Sequence, residues 1–407
     1  MRKTILIILL LCLGALPVWG ITPALSQEEY CAQPHQDVST PLNDLGNNVY
    51  IRLGGYDTGF TGGLYPSGSN VRPAEHEAAG VRIAAQVIPR DENGDLDPLN
   101  GRIVLLSIGV SNTFTEFDAF SRLVNTDPEI NPKVQLVNGA QHSRTSDWWI
   151  DPNSVTWQEV FRRLADRGVT PQQVQIAWIK HTRLGHDYFP GSAQTLQSDL
   201  EAISRNLKTH FPNIKIAYLS SRTRSYYIFD SLALEPHAFE TGFAVKWLIE
   251  KQMDGDLALN YDPERGEVVA PYLAWGAYLW IDGMNPRSDG RIWTQQDLYI
   301  DCIHPTQSGA AKVADMLMEF FKNDSTAMPW FLAGRSSAPP TQIFLPTVTN
   351  TLPAPTAAQT RSSPTQMQTE EPALAPTEAA YPAPAICGLS GALTAMLFTW
   401  LGYRKRC

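Results

Sequence analysis

Two short stretches of this sequence combine residue types that can do nucleophilic and acid–base chemistry. The first is Gly109-Val110-Ser111-Asn112-Thr113, which follows the apolar run 102–108, RIVLLSI. A serine just past a strand end, after a glycine that permits a tight turn, presents its Oγ at the edge of a sheet. Its own backbone N–H can then help hold a negatively charged oxygen. The bland alternative is a serine that opens the next helix as a cap. The second stretch is Asp301-Cys302-Ile303-His304-Pro305. With 41 acidic residues and 8 histidines in 407, about one acid-x-x-His arises by chance. Position therefore carries more than spacing, and this stretch stands directly before a segment of helical periodicity. There Asp301 can orient the imidazole of His304, and His304 can take a proton from Ser111. The alternative is a surface loop whose aspartate caps the helix. A third candidate is Gly139, after the run 133–137, where a glycine lets its N–H approach a substrate oxygen closely. A plain turn glycine reads the same way.

These residues need a scaffold that brings positions 111, 139, 301 and 304 to one edge. Short apolar runs at 102–108, 133–137, 174–179 and 214–219 alternate with helical patterns at 156–167, 193–210 and 239–253, and with a last one after Pro305. Buried runs of five to seven residues alternating with helices predict an α/β fold of three layers, with a central parallel sheet covered on both faces. One such domain is expected over 45–325. Ligands of open parallel sheets gather at the carboxyl ends of the strands, where Ser111 and Gly139 both fall. The Gly-rich segment 54–80 reads as a long ordered loop. The Asn93-Gly94 turn signal between 82–87 and 102–108 predicts a hairpin there.

The two ends differ from this middle. Residues 1–26 place Arg2 and Lys3 before an apolar run, broken at Pro17, and end in Ala24-Leu25-Ser26, the layout of a signal peptide. An uncleaved N-terminal anchor is the alternative. Residues 336–384 are dense in Pro, Thr, Ala, Ser and Gln and read as a disordered, solvated linker. Residues 385–403 are apolar and uncharged, and the short tail 404–407 opens with Arg404-Lys405-Arg406. That pattern predicts a C-terminal transmembrane helix with a basic cytoplasmic tail. The expected location is the extracellular face of the cell membrane. Export would permit a Cys31–Cys302 disulfide, with two buried free thiols as the other reading.

The order serine after the first strand, glycine after the second and Asp-x-x-His before the C-terminal helix resembles the SGNH (or GDSL) hydrolase superfamily. The resemblance covers about 103–321. It implies a flavodoxin-like α/β/α fold, no cofactor, and hydrolysis of esters, often acyl or acetyl groups on lipids or carbohydrates. By the same resemblance Ser111 is the nucleophile, Gly139 an oxyanion donor, and Asp301 and His304 the acid and base. Two departures stand out. The aspartate that usually precedes the serine is missing, and the third block, usually Gly-x-Asn-Asp, reads Trp178-Ile179-Lys180-His181-Thr182. Lys180 or His181 could donate in place of the absent asparagine.

A formal charge of −9 argues against a protein held to nucleic-acid phosphates. His142, His181 and His186 lack zinc spacing, and the acidic loops 254–257 and 282–289 lack an EF-hand pattern, so no metal is expected. Trp148, Trp149, Trp178, Trp275, Tyr278 and Trp280 could line a sugar-binding cleft, or serve as core and rim packing. The favoured expectation is a membrane-tethered serine esterase acting on an acylated carbohydrate or lipid. The alternative is a catalytically weak or inactive surface protein that binds glycans on the same fold.

Overall fold

The computed structural model describes residues 37–183, 188–226 and 235–335. An antiparallel pair, β1 (Val49–Arg52) and β2 (Tyr56–Thr61), precedes helix α1 (Ala74–Ala84). The main body then alternates β3 (Ile103–Gly109), α2 (Ser111–Thr126), β4 (Val134–Asn138), α3 (Val155–Asp166), β5 (Val174–Lys180), α4 (Gly191–His210), β6 (Ile216–Leu219), α5 (His237–Met253), β7 (Tyr272–Trp275) and α6 (Gln307–Asn323). Strands β3 to β7 form a parallel sheet in the order β4-β3-β5-β6-β7. This is the flavodoxin-like order, in which the chain starts centrally and reverses direction once.

The sequence dictates this sheet through burial on both sides. Every residue of β3 and of β5 is buried, so each reads as a continuous apolar run rather than an alternation. Successive side chains nevertheless serve different cores. Val104, Leu106 and Ile108 join Trp157, Leu200 and Phe243 of α3, α4 and α5. Ile103 and Leu105 join Phe117, Phe120 and Val313 of α2 and α6, with Ala79 of α1. Thus α3, α4 and α5 cover one face and α1, α2 and α6 the other. The described residues form a three-layer α/β/α sandwich, and α2 packs directly along α6.

Several local expectations are corrected. Most of 82–87 belongs to helix α1 and its end, not to a strand: His76, Ala79, Gly80 and Ala84 are buried at helical spacing. Gly80 lies so close to Tyr272 that a Cβ would come within 2.7 Å of the ring. The Asn93-Gly94 turn does form, with Gly94 N–H donating to Asp91 O at 3.1 Å. Its flanks meet only in isolated bridges at Arg90. The segment expected as a loop over 54–80 contains β2 and most of α1.

The membrane expectation is also corrected. Among the described residues no helix is long and apolar enough to cross a membrane. This overturns the expectation of a transmembrane protein tethered at the membrane's extracellular face. The segments 1–26, 336–384, 385–403 and 404–407 lie outside the described residues, as do Cys31 and His186. Cys302 is disulfide-bonded.

Candidate active site

The β3 strand ends in Gly109, and α2 begins two residues later at Ser111. As the first helical residue, Ser111 has an N–H with no carbonyl one turn back to accept it. The crossing is tight. Thr113 Oγ1 donates to the Lys180 carbonyl of β5 at 2.8 Å, and a Cβ on Gly109 would sit 2.3 Å from that same oxygen. Glycine is required here for close approach, and the turn it permits aims Ser111 at the carboxyl edge of the sheet.

The loop before α6 arrives from the other side. Asp301 Oδ1 accepts hydrogen bonds from the N–H groups of Ile303 (3.0 Å) and His304 (2.9 Å). Its Oδ2 lies 2.7 Å from His304 Nδ1. A carboxylate at Nδ1 keeps the ring hydrogen there and leaves Nε2 as the acceptor. Nε2 is 2.8 Å from Ser111 Oγ. The Asn112 amide donates to Ile303 O at 2.9 Å, so the residue after the serine also holds the loop. Thr306 caps α6, accepting from Gly309 N–H. Cys302 adopts φ +60° between Asp301 and His304, and its carbonyl accepts the N–H of Tyr226 at 3.1 Å. Partial burial pushes the Asp301 carboxyl up. The amides of His304 and Ile303 and the adjoining imidazole outweigh it and hold the carboxyl below the usual range.

Gly139 follows β4 and lies beside the end of β3, where Gln141 N–H donates to Gly109 O at 2.9 Å. A Cβ on Gly139 would meet Ser107 O at 2.6 Å and Leu106 Cδ1 at 2.9 Å. The absent side chain thus has a packing reason, whatever its N–H does.

Of the two residues in the departing third block, Lys180 is committed to another partner and His181 is buried without one. The Lys180 ammonium is held by both carboxylate oxygens of Glu116 on α2, and neither side chain touches solvent. Burial raises the Glu116 carboxyl and lowers the Lys180 ammonium to about 8, with their mutual attraction opposing both. His181 is 3% exposed, and neither ring nitrogen has a hydrogen-bond partner. It meets the edge of Trp149 at 5.6 Å. Burial, reinforced by the Arg222 charge, drives its pKa down to about 3, so it is neutral at ordinary pH.

The six aromatic candidates for a sugar cleft divide sharply. Trp149, Trp178, Trp275, Tyr278 and Trp280 are buried, whereas Trp148 is exposed with the Arg144 guanidinium 4.0 Å above its ring. His142 is exposed and leans on Phe114, one turn along α2 from Ser111. Glu116 and Arg222 are the site residues that the sequence alone did not single out. Arg222 stands three residues beyond β6, at the same kind of strand end that marks Ser111, Gly139 and Lys180. A basic residue at that edge was the available signal.

No protein-family model matches the chain, and no curated protein matches it. Solved structures do align with it. The catalytic domain of peptidoglycan O-acetyltransferase A from Streptococcus pneumoniae is 13% identical over 54% of this chain and 93% of its own, with TM-score 0.29. A salicylyl-acyltransferase from a tetracycline biosynthetic pathway is 14% identical over 56% of this chain and 55% of its own, TM-score 0.31. The periplasmic domain of a lipopolysaccharide acetyltransferase from Salmonella ser. Paratyphi A is 10% identical over 60% and 95%, TM-score 0.29. At these TM-scores the likeness assigns neither fold nor activity to this chain. Both must come from its own residues.

Proposed function

We propose that this chain hydrolyses carboxylic esters by a Ser-His-Asp mechanism, with small acyl or acetyl groups as the acid portion. The observation that carries the reading is the unbroken relay from Ser111 Oγ to His304 Nε2 at 2.8 Å and from His304 Nδ1 to Asp301 Oδ2 at 2.7 Å. A serine hydroxyl is a poor nucleophile until a base stands within hydrogen-bond reach, and the base needs a third group to fix its tautomer.

On this reading Ser111 Oγ attacks the ester carbonyl while its proton passes to His304 Nε2. Asp301 stabilises the imidazolium that results. The carbonyl oxygen becomes an oxyanion, held by the N–H groups of Ser111 and Gly139. Collapse breaks the bond to the alcohol, which leaves with the proton from His304. Water, deprotonated by His304, then attacks the acyl-serine, and a second collapse releases the acid and returns the proton to Ser111. The Lys180 ammonium is committed to Glu116, so this cycle runs on two backbone donors. A missing third donor costs on the order of 3 kcal/mol of transition-state stabilisation, which predicts a slow enzyme.

The test is turnover of 4-nitrophenyl acetate, together with labelling by a serine-directed phosphonate. Both are expected for the native chain, and both are expected to vanish in Ser111→Ala. Undiminished turnover in that variant would remove the serine mechanism.

A further inference from the structure

One buried cation near the relay lacks the partners its chemistry asks for. Arg222 is 3% exposed, and its Nε has no hydrogen-bond partner. Among the described residues no carboxylate pairs with it: Glu116 is occupied by Lys180, and Asp282 is paired with Arg224. Glu235 accepts from Ser225 N–H, Phe239 N–H and Trp280 Nε1 instead. Burial lowers the Arg222 pKa to about 10, and Glu116 and Glu235 support the charge from a distance. The group therefore remains a cation at neutral pH. A guanidinium offers five donors, and leaving such a group buried with unmade bonds is costly unless an acceptor enters.

Its place is set by strand alternation. Ile216 and Tyr218 of β6 belong to the core beneath α2 and α6, and Ser220 Oγ accepts from Trp178 Nε1 of that same core. Two residues on, Arg222 falls on the same face as Lys180, Glu116 and the start of α2. The strand's continuation is fastened to the loop of the relay, since Tyr226 N–H donates to Cys302 O. A second unfilled polar atom lies on this floor. Asn112 is 1% exposed; its amide nitrogen holds Ile303 O, while its Oδ1 has no partner. Three elements, the start of α2, the 301–304 loop and the stretch after β6, thus converge with an unpaired donor cation and an unpaired acceptor.

We propose that Arg222 binds a carboxylate carried by the substrate, so that the preferred esters have an acidic group close to the scissile bond. The arrangement suits planar, two-point recognition by a guanidinium. The assignment of this group to a substrate rests on the esterase reading above. The existence of the anion site does not.

The experiment compares kcat/KM for mono-4-nitrophenyl succinate and for the neutral 4-nitrophenyl pentanoate, in the native chain and in Arg222→Gln and Arg222→Lys. Succinate binding to Ser111→Ala is measured in parallel by calorimetry at constant ionic strength. The native chain is expected to favour the succinate ester, and Arg222→Gln to lower that ratio tenfold or more. Arg222→Lys, which keeps the charge, should fall between them. Succinate should bind Ser111→Ala and be lost when Arg222→Gln is added. If Arg222→Gln does not fold, the native ratio, the lysine variant and the calorimetry decide. An unchanged ratio in the variants, or no succinate bound by Ser111→Ala, would overturn the site. Succinate bound through Arg222 with neither ester hydrolysed would sink the esterase and leave the anion site standing.

Discussion

Glu116 closes both carboxylate oxygens on the Lys180 ammonium, and the pair is sealed from solvent between α2 and the end of β5. Lys180 stands where a third oxyanion donor was expected, and its charge is spent on joining the helix that begins at Ser111 to the neighbouring strand. Removing one member strands the other. Glu116→Gln is expected to lose about 3–5 kcal/mol of stability, while the apolar pair Glu116→Leu with Lys180→Met recovers most of it. Urea unfolding of these variants measures this. A single-variant loss below about 1 kcal/mol would mean that the pair is not sealed.

Asp301 touches His304 with one oxygen and its own loop amides with the other. Asp301→Asn keeps the size but removes the carboxylate that fixes the imidazole. Ester turnover is expected to fall by about 10³–10⁴ in kcat, with little change in thermal unfolding because the side chain is about half exposed. A fall of less than about tenfold would argue that His304 acts without it.

Gly139→Ala tests the packing reason for that glycine. Its new Cβ must displace Ser107 O or Leu106 Cδ1, a strain worth about 1–3 kcal/mol. The melting temperature should fall, and kcat with it, because the amide proposed to face the oxyanion moves with the backbone. A variant as stable as the native chain would show that the β4 end relaxes freely.

Acid should unfold the protein early, and His181 is one cause. Its pKa is pulled from the ordinary 6.5 to about 3. The unfolded chain therefore binds a proton that the folded chain refuses. Stability falls as pH drops below 6.5 and stops falling on this account near 3. From pH 6.5 to about 4.5 the loss is about 2 kcal/mol. His76, lowered to about 4 by burial, adds to the same slope. Urea unfolding at several pH values should show His181→Leu losing about one proton's worth of slope. An unchanged slope would mean that His181 protonates in the folded state.

Legibility in the sequence varied with the physics of each element. The sheet was readable because strands buried on both faces are unbroken apolar runs, as in β3 and β5. Strand β7 was not, because Tyr272–Trp275 is only four residues long and the apolar run resumes after Gly276, at Ala277–Ile281. Helix α1 was hidden by Gly80, a helix-weakening residue kept for its contact with Tyr272. The relay residues stood out through their positions at element ends. The partner of Lys180 did not, since Glu116 is 64 residues away on another element and nothing local marks the pair. Arg222 offered only its place beyond a strand end as a signal, since the absent bond that marks it is not displayed by any string of letters.

The acid and the base of the relay ride on one four-residue turn, 301–304, and so travel together as a preassembled cassette. Only one gap remains to be set, between that cassette and the first turn of α2, and the seam between α2 and α6 sets it. Substitutions along that seam, remote from any ester, should therefore lower the rate and the melting temperature together, since Phe117, Phe120 and Val313 are buried there. The scaffold has in effect a single adjustment screw, and random mutagenesis screened for activity would find it there.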